Sequence, residues 1–200
     1  MRMMKKILLF VTFLLGCLPL MAQAPVCLEG AERGKAMASI LKANDIRTSL
    51  QFRFVMTRHS ALLTEALKSR GKAYYIYPDK VRWEVEQPRP SVFVLNGATT
   101  TDRRQQTLLR NVSKIAEKGL VNEADFTVKV YQTPGQWQVD LVPLRHDLGQ
   151  LFSLITLLAD PDTGALRSIV LTETSGDITS LELNSLVKGQ PLDEALFRQP

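Results

Sequence analysis

Glu84 and Glu86, two residues apart, are the nearest this chain comes to a pair of catalytic carboxylates. Hydrolytic carboxylate pairs sit on separate elements facing each other across a cleft, whereas these two lie on one short polar–apolar alternation. A solvated strand face accounts for them. The two histidines, His59 and His146, are far apart and show no metal-ligand spacing. Gly30 to Lys35 contains a Gly-Lys pair but neither the glycine spacing nor the following Ser/Thr of a phosphate loop. Asp160-Pro161-Asp162-Thr163-Gly164 starts like a calcium loop, lacks the later acidic ligands, and reads as a turn. No G-x-S-x-G elbow occurs. The residue types therefore point away from an enzyme, with no metal or cofactor expected.

The elements around Glu84 and Glu86 say more. Gly71 to Gly97 reads as three strands cut by prolines. The first is Ala73–Tyr77, stopped by Pro78. In the second, Lys80–Glu86, Val81, Trp83 and Val85 alternate with Arg82, Glu84 and Glu86, which puts one apolar and one charged face on a sheet. The third, Ser91–Leu95, ends at Asn96-Gly97, a hairpin-turn signal. Upstream, Leu28 to Leu41 has helical spacing, and Ser49 to Thr57 alternates through Leu50, Phe52, Phe54 and Met56. Leu62 to Leu67 fits either a hairpin loop with the start of the next strand or a short helix. Downstream, Ala98 to Thr101 continues the meander and Leu108 to Val121 has helical periodicity. Strands follow at Phe126–Tyr131, Trp137–Val142, Leu151–Leu158, Leu166–Leu171 and Ile178–Leu186, with a short element over Pro191–Phe197. An antiparallel sheet of about ten strands tends to curl on itself.

The N-terminus supplies an address. Arg2, Lys5 and Lys6 precede an apolar run from Ile7 to Met21, then small residues at Ala22 and Ala24. Residues 1–22 read as a secretory signal peptide, with cleavage after Ala22 or after Ala24. Leu14-Leu15-Gly16-Cys17 offers the alternative of a lipid anchor at Cys17. The full chain of 200 residues carries 25 Lys+Arg against 20 Asp+Glu; taking away the three leader cations leaves 22 against 20, so the mature chain is nearly neutral. No basic footprint for nucleic acid remains. Cys27 is then the one cysteine left, so no intrachain disulfide is expected. Residues 23–200 read as a single domain.

The block from Gly71 through Tyr74, Tyr75 and Pro78 to Val81, Trp83 and Pro88, followed by an apolar strand and Asn96-Gly97, resembles the periplasmic lipoprotein carrier family LolA. Leu141-Val142-Pro143 and Asp162-Thr163-Gly164 resemble later parts of that family, and the likeness runs from near Ile40 to Leu196-Phe197. It implies an α+β, mostly antiparallel fold: an unclosed half β-barrel with a helical lid over an apolar cavity, with Leu62 to Leu67 leading into the strand that runs through Gly71. It further implies a monomeric periplasmic chaperone that takes acylated lipoproteins from an inner-membrane ABC-type extractor to an outer-membrane acceptor. Under this resemblance the acyl cavity is expected to be lined by Phe52, Phe54, Met56, Tyr75, Tyr77, Val81, Trp83 and Val85. Many members carry a basic residue before the strand-ending proline; here it is Tyr77, which makes Tyr77 the candidate lid latch. A carrier for another lipid or lipid-linked amphiphile, and a non-transporting envelope adaptor, remain the alternatives.

Overall fold

The computed structural model describes residues 24–97 and 121–198. The signal segment, the continuation of the meander over 98–101 and most of the helical stretch expected over 108–121 lie outside the described residues. Ten strands form one antiparallel sheet: β1 (Val26–Cys27), β2 (Leu50–His59), β3 (Leu67–Ile76), β4 (Lys80–Gln87), β5 (Ser91–Asn96), β6 (Phe126–Thr133), β7 (Gln136–Pro143), β8 (Phe152–Ala159), β9 (Leu166–Glu173) and β10 (Ile178–Lys188). Their spatial order is β1-β6-β7-β8-β9-β10-β2-β3-β4-β5. The late strands thus wrap around to place β10 beside β2, and β1 and β5 form the two edges. The sheet is an unclosed, curled layer with few helices.

The 14-residue helix α1 (Gly30–Ala43) crosses this sheet. It starts two residues later than its periodicity suggests, because Leu28 is still extended and donates its N–H to the Val130 carbonyl (2.8 Å). Ala36, Met37 and Ile40, one helical face, pack on Val130, Val139, Leu157, Ala159 and Leu166. Ile40, Val130 and Val139 are wholly buried. Burial of each such aliphatic side chain stabilises the fold by roughly 1.5–3 kcal/mol.

Asn44 ends the helix and fastens it. Its side-chain amide donates to the Ile40 carbonyl (2.7 Å) and the Gly164 carbonyl (2.8 Å). Its side-chain oxygen accepts from the Leu166 N–H (3.0 Å). One buried polar residue thereby bolts the C-terminus of α1 to the β8–β9 turn. Gly164 makes the close approach possible. Its φ is +74°, and a Cβ there would stand 2.5 Å from the Ser39 carbonyl oxygen. Asp160, expected in a turn, holds that turn by accepting from the N–H groups of Asp162 and Thr163 (2.9 Å each).

Elsewhere the boundaries move for local reasons. Leu62 to Leu67 is a loop that delivers β3 at Leu67, well before Ala73. β3 ends at Ile76, so Tyr77 belongs to the turn with Pro78 and Asp79 rather than to the strand. The two-residue β1 and the short helix α2 (His146–Gly149) carry too little periodicity to be read from sequence. At the C-terminus a 3-10 turn (Glu194–Phe197) is capped by Asp193, which accepts from the Ala195 N–H (2.8 Å). Phe197 is buried. The carbonyls of Leu196 and Phe197 accept from Arg82 (2.7 Å) and Asn96 (3.3 Å), which pins this turn to β4 and β5.

Candidate functional site: an apolar cavity

Register places the apolar sets of neighbouring strands side by side. Leu50 pairs with Tyr75, Phe52 with Ala73 and Phe54 with Gly71 across β2–β3. Tyr75 pairs with Val81 and Ala73 with Trp83 across β3–β4. Leu183 pairs with Phe54 and Leu181 with Met56 across β10–β2. With period-two alternation, all of these share the concave face. Gly71 keeps that face thin: a Cβ on it would run into the Glu84 carbonyl and approach the Phe54 ring to 2.9 Å. The Phe54 ring stacks on Trp83 with centroids 4.0 Å apart, and Phe52 meets Trp83 edge-on at 6.2 Å.

A cavity of about 310 Å³ lies over these rings. Its walls are Leu50 and Phe52 of β2, Ala73 and Tyr75 of β3, Val81 and Trp83 of β4, Leu166 and Ile169 of β9, and Leu181, Leu183 and Leu186 of β10. Asn44 and Ile46, from the link between α1 and β2, stand at one end, with Lys188 beside them. The volume is at the lower end of the range for small-molecule sites. The opposite, convex face is charged: Glu86 joins Arg53 (2.9 Å) and Lys72 (3.1 Å), and Arg82 pairs with Glu84. The Lys72 ammonium, as hydrogen-bond donor, holds the Glu86 carboxyl below its ordinary range. The more exposed Glu86 pairs contribute little stability, about 0–1 kcal/mol each, whereas Arg82–Glu84 is half-buried beside the C-terminal turn. Both glutamates have basic partners rather than a cleft between them.

Of the eight residues expected at the cavity, Phe52, Tyr75, Val81 and Trp83 are in its wall. Phe54 stands behind the wall as the stacking partner of Trp83. Met56 and Val85 share the concave face by register but lie farther along their strands. Tyr77 is 37 % exposed in the β3–β4 turn, outside the cavity wall. The hydroxyl that bonds locally is that of Tyr75, which donates to the Pro78 carbonyl (3.2 Å).

The β10 wall and the mouth were missed. β10 contains a bulge: Asn184 pairs with Arg53, but the next partners are Val187 with Gln51 and Lys188 with Leu50. One extra residue is taken up, and Ser185 adopts a left-handed φ of +53°. The shift turns Leu186 and Lys188 to the cavity side. The sequence signal was the spacing Leu181, Leu183, Leu186, a slip in the period. At the mouth, Asp45 accepts from the Arg47 side chain (3.0 and 2.7 Å) and from its backbone N–H (2.9 Å). The Arg47 side-chain bonds, then the backbone bond, bring its pKa down to about 2. Lys188 donates to the Ala43 carbonyl at the end of α1. Burial pushes its pKa down, and Asp45 opposes that.

The cavity lining is, among the described residues, hydrocarbon and aromatic apart from Asn44 and Lys188. Among the described residues no three His, Cys, Asp or Glu side chains come together as a metal site. No described helix is long and apolar enough to cross a membrane. His59 and His146 are exposed, and Cys27 is an exposed free thiol.

The family described as outer membrane lipoprotein carrier protein LolA matches residues 46–200. An outer-membrane lipoprotein carrier protein of Pseudoalteromonas translucida is 23 % identical over 141 residues, 66 % of this chain and 66 % of that protein. The chain thus spans about two thirds of the length of that relative. Among solved structures it is similar to a LolA superfamily protein of Nitrosomonas europaea, at 8 % identity and a TM-score of 0.42 over 83 % of this chain and 97 % of that one. It is also similar to a Pseudomonas aeruginosa MucA/MucB complex structure, at 16 % identity and a TM-score of 0.45 over 85 % of this chain and 62 % of that one. The family match takes in all of β2 to β10 and most of the cavity wall, and the chain belongs to the LolA family of outer membrane lipoprotein carriers.

Proposed function

We propose that this protein is a periplasmic carrier that holds the acyl chains of lipoproteins in its apolar cavity and moves them from the inner to the outer membrane. The observation that carries this reading is the wall itself: eleven apolar or aromatic residues from five strands face one cavity. Each methylene taken from water into such a wall contributes roughly 0.8 kcal/mol. Acyl chains, with many methylenes and few polar atoms, suit that chemistry, whereas a polar substrate would leave its hydrogen bonds unmade. Membership in LolA, a family described as outer membrane lipoprotein carriers, supports lipoproteins as the cargo class. An inner-membrane extractor and an outer-membrane acceptor are the partners this reading requires, and the leader over residues 1–22 supplies export.

Native mass spectrometry on protein purified from the periplasm tests the proposal. Acylated peptides should co-purify with the wild type and be lost from Val81→Glu, which puts a carboxylate into the wall. Protein that comes away empty, or a Val81→Glu variant that keeps its cargo, would overturn it.

A further inference from the structure

Lys188 is the one charged side chain in an otherwise apolar wall, among the described residues. Its position depends on a costly local feature. Without the bulge after Asn184, strict alternation from Leu181 and Leu183 would put residue 188 on the convex face, with the other charges. The bulge reverses that parity, and it does so through a non-glycine residue, Ser185, held at φ +53°. Bulges re-aim side chains and gather next to functional sites. Here the re-aimed group is a cation, and its destination is an apolar cavity.

Its surroundings leave it able to take a ligand. Lys188 pairs with Leu50 at the last rung of β10 and β2, beside Asn44 and Ile46. It therefore stands at the Leu50 end of the cavity, while Leu181 and Ile169, level with Met56, lie farther along the strands. An ammonium has three N–H donors, and the Ala43 carbonyl takes one. Asp45 is the nearby anion, but Arg47 chelates it through side chain and backbone. Asn44 has its amide and oxygen committed to Ile40, Gly164 and Leu166. Around Lys188 the charges are thus its own and that of Arg47 against Asp45, an excess of one positive charge.

We infer that Lys188 reads the headgroup of the bound molecule, so that the cavity prefers an acyl chain ending in a carboxylate or phosphate to the same chain with a neutral end. The inference rests on the acyl-cavity reading above but goes beyond its lipoprotein cargo: the esters and amide that carry a lipoprotein's acyl chains are neutral, so the class it adds is an anionic single-chain or phospholipid amphiphile. The chain threads inward along Leu50 and Leu183, with the anionic end at the ammonium. Capping the α1 carbonyls is a structural role for the same lysine, but it predicts no headgroup preference.

Calorimetric titration of the purified protein separates the two roles. The probes are dodecanoate against dodecanol, and a lysophosphatidic acid against the monoacylglycerol of equal chain length. The anionic member of at least one pair should bind wild type about tenfold more tightly, the scale of one charge-assisted hydrogen bond. Preference in the first pair alone assigns a fatty acid, and in the second alone a phospholipid. Lys188→Met should lose the preference while keeping its affinity for the neutral probe, which also shows that it folds, and Lys188→Arg should restore it. Equal binding of charged and neutral probes by wild type, or a preference surviving in Lys188→Met, would overturn the role of Lys188 and leave the cavity standing. Failure of every probe to bind wild type would overturn both readings.

Discussion

On β6–β8, the concave side chains Val130, Val139, Leu157 and Ala159 lie at 0–1 % exposure beneath α1. On β2–β4, Phe52, Val81 and Trp83 keep partial exposure around a cavity. Both stretches alternate in the same way along the chain, and both turn their apolar set to the same side of one sheet. What differs is size and cover. The closed half uses small and branched residues that fit the Ala36, Met37 and Ile40 face of a helix. The other half uses aromatic rings that stack among themselves and, among the described residues, leave space above. Alternation therefore identifies a buried face, while the cover and the side-chain volumes decide whether that face becomes core or cavity.

The sharpest way to break this comparison is to put the same charge in each half. Val139→Asp buries an uncompensated carboxylate under α1, at a cost of several kcal/mol. That rivals the whole stability of a domain, about 5–15 kcal/mol, so the variant should fail to fold as judged by circular dichroism. Val81→Glu should lose less than about 2 kcal/mol, because its side chain can reach the open space. Equal damage from the two would mean that the halves are both ordinary core.

A smaller effect is expected at the bolt between helix and turn. Asn44→Ala leaves the buried Leu166 N–H without its partner, at about 2–3 kcal/mol, measurable by urea denaturation. Hydrogen exchange should then quicken in α1 and the β8–β9 turn while β3 and β4 keep their protection. Uniform loss of protection across the sheet would remove the distinction between the two halves.

Much of this was legible before the structure. The succession of strands along the chain from β2 to β10 follows from periods of two broken by prolines and by the Asp160–Gly164 turn, since those signals are local, whereas the pairing of β10 with β2 is not. Of the eight residues expected from sequence, Phe52, Tyr75, Val81 and Trp83 stand in the wall because they sit on strict alternations. Tyr77 does not, because the Pro78 turn takes it out of β3 and out of the alternation. Asn44 was readable as a helix end but not as a bolt, since its partners are more than 100 residues away. Lys188 depends on a bulge, and the slip from Leu183 to Leu186, though present in the sequence, can be read as a bulge only once the pairing register is known.

The smallest effect concerns the mouth. The Asp45 carboxyl, at about 2, lies below its ordinary 3.8, so its contribution is complete above pH 3.8 and is lost as pH falls towards 2. NMR titration should show that midpoint in wild type and a return towards 3.8 in Arg47→Gln. A wild-type midpoint already near 3.8 would mean that Arg47 does not clamp Asp45.

The central claim is that acyl chains occupy the open half and never the closed one. Photo-crosslinking with a diazirine-bearing fatty acyl chain, followed by peptide mapping, measures this directly. The account predicts adducts on Leu50, Trp83 and Leu183, displaced by excess unlabelled lipid. Adducts on Val139 or Leu157, or labelling spread evenly over the surface, would contradict it.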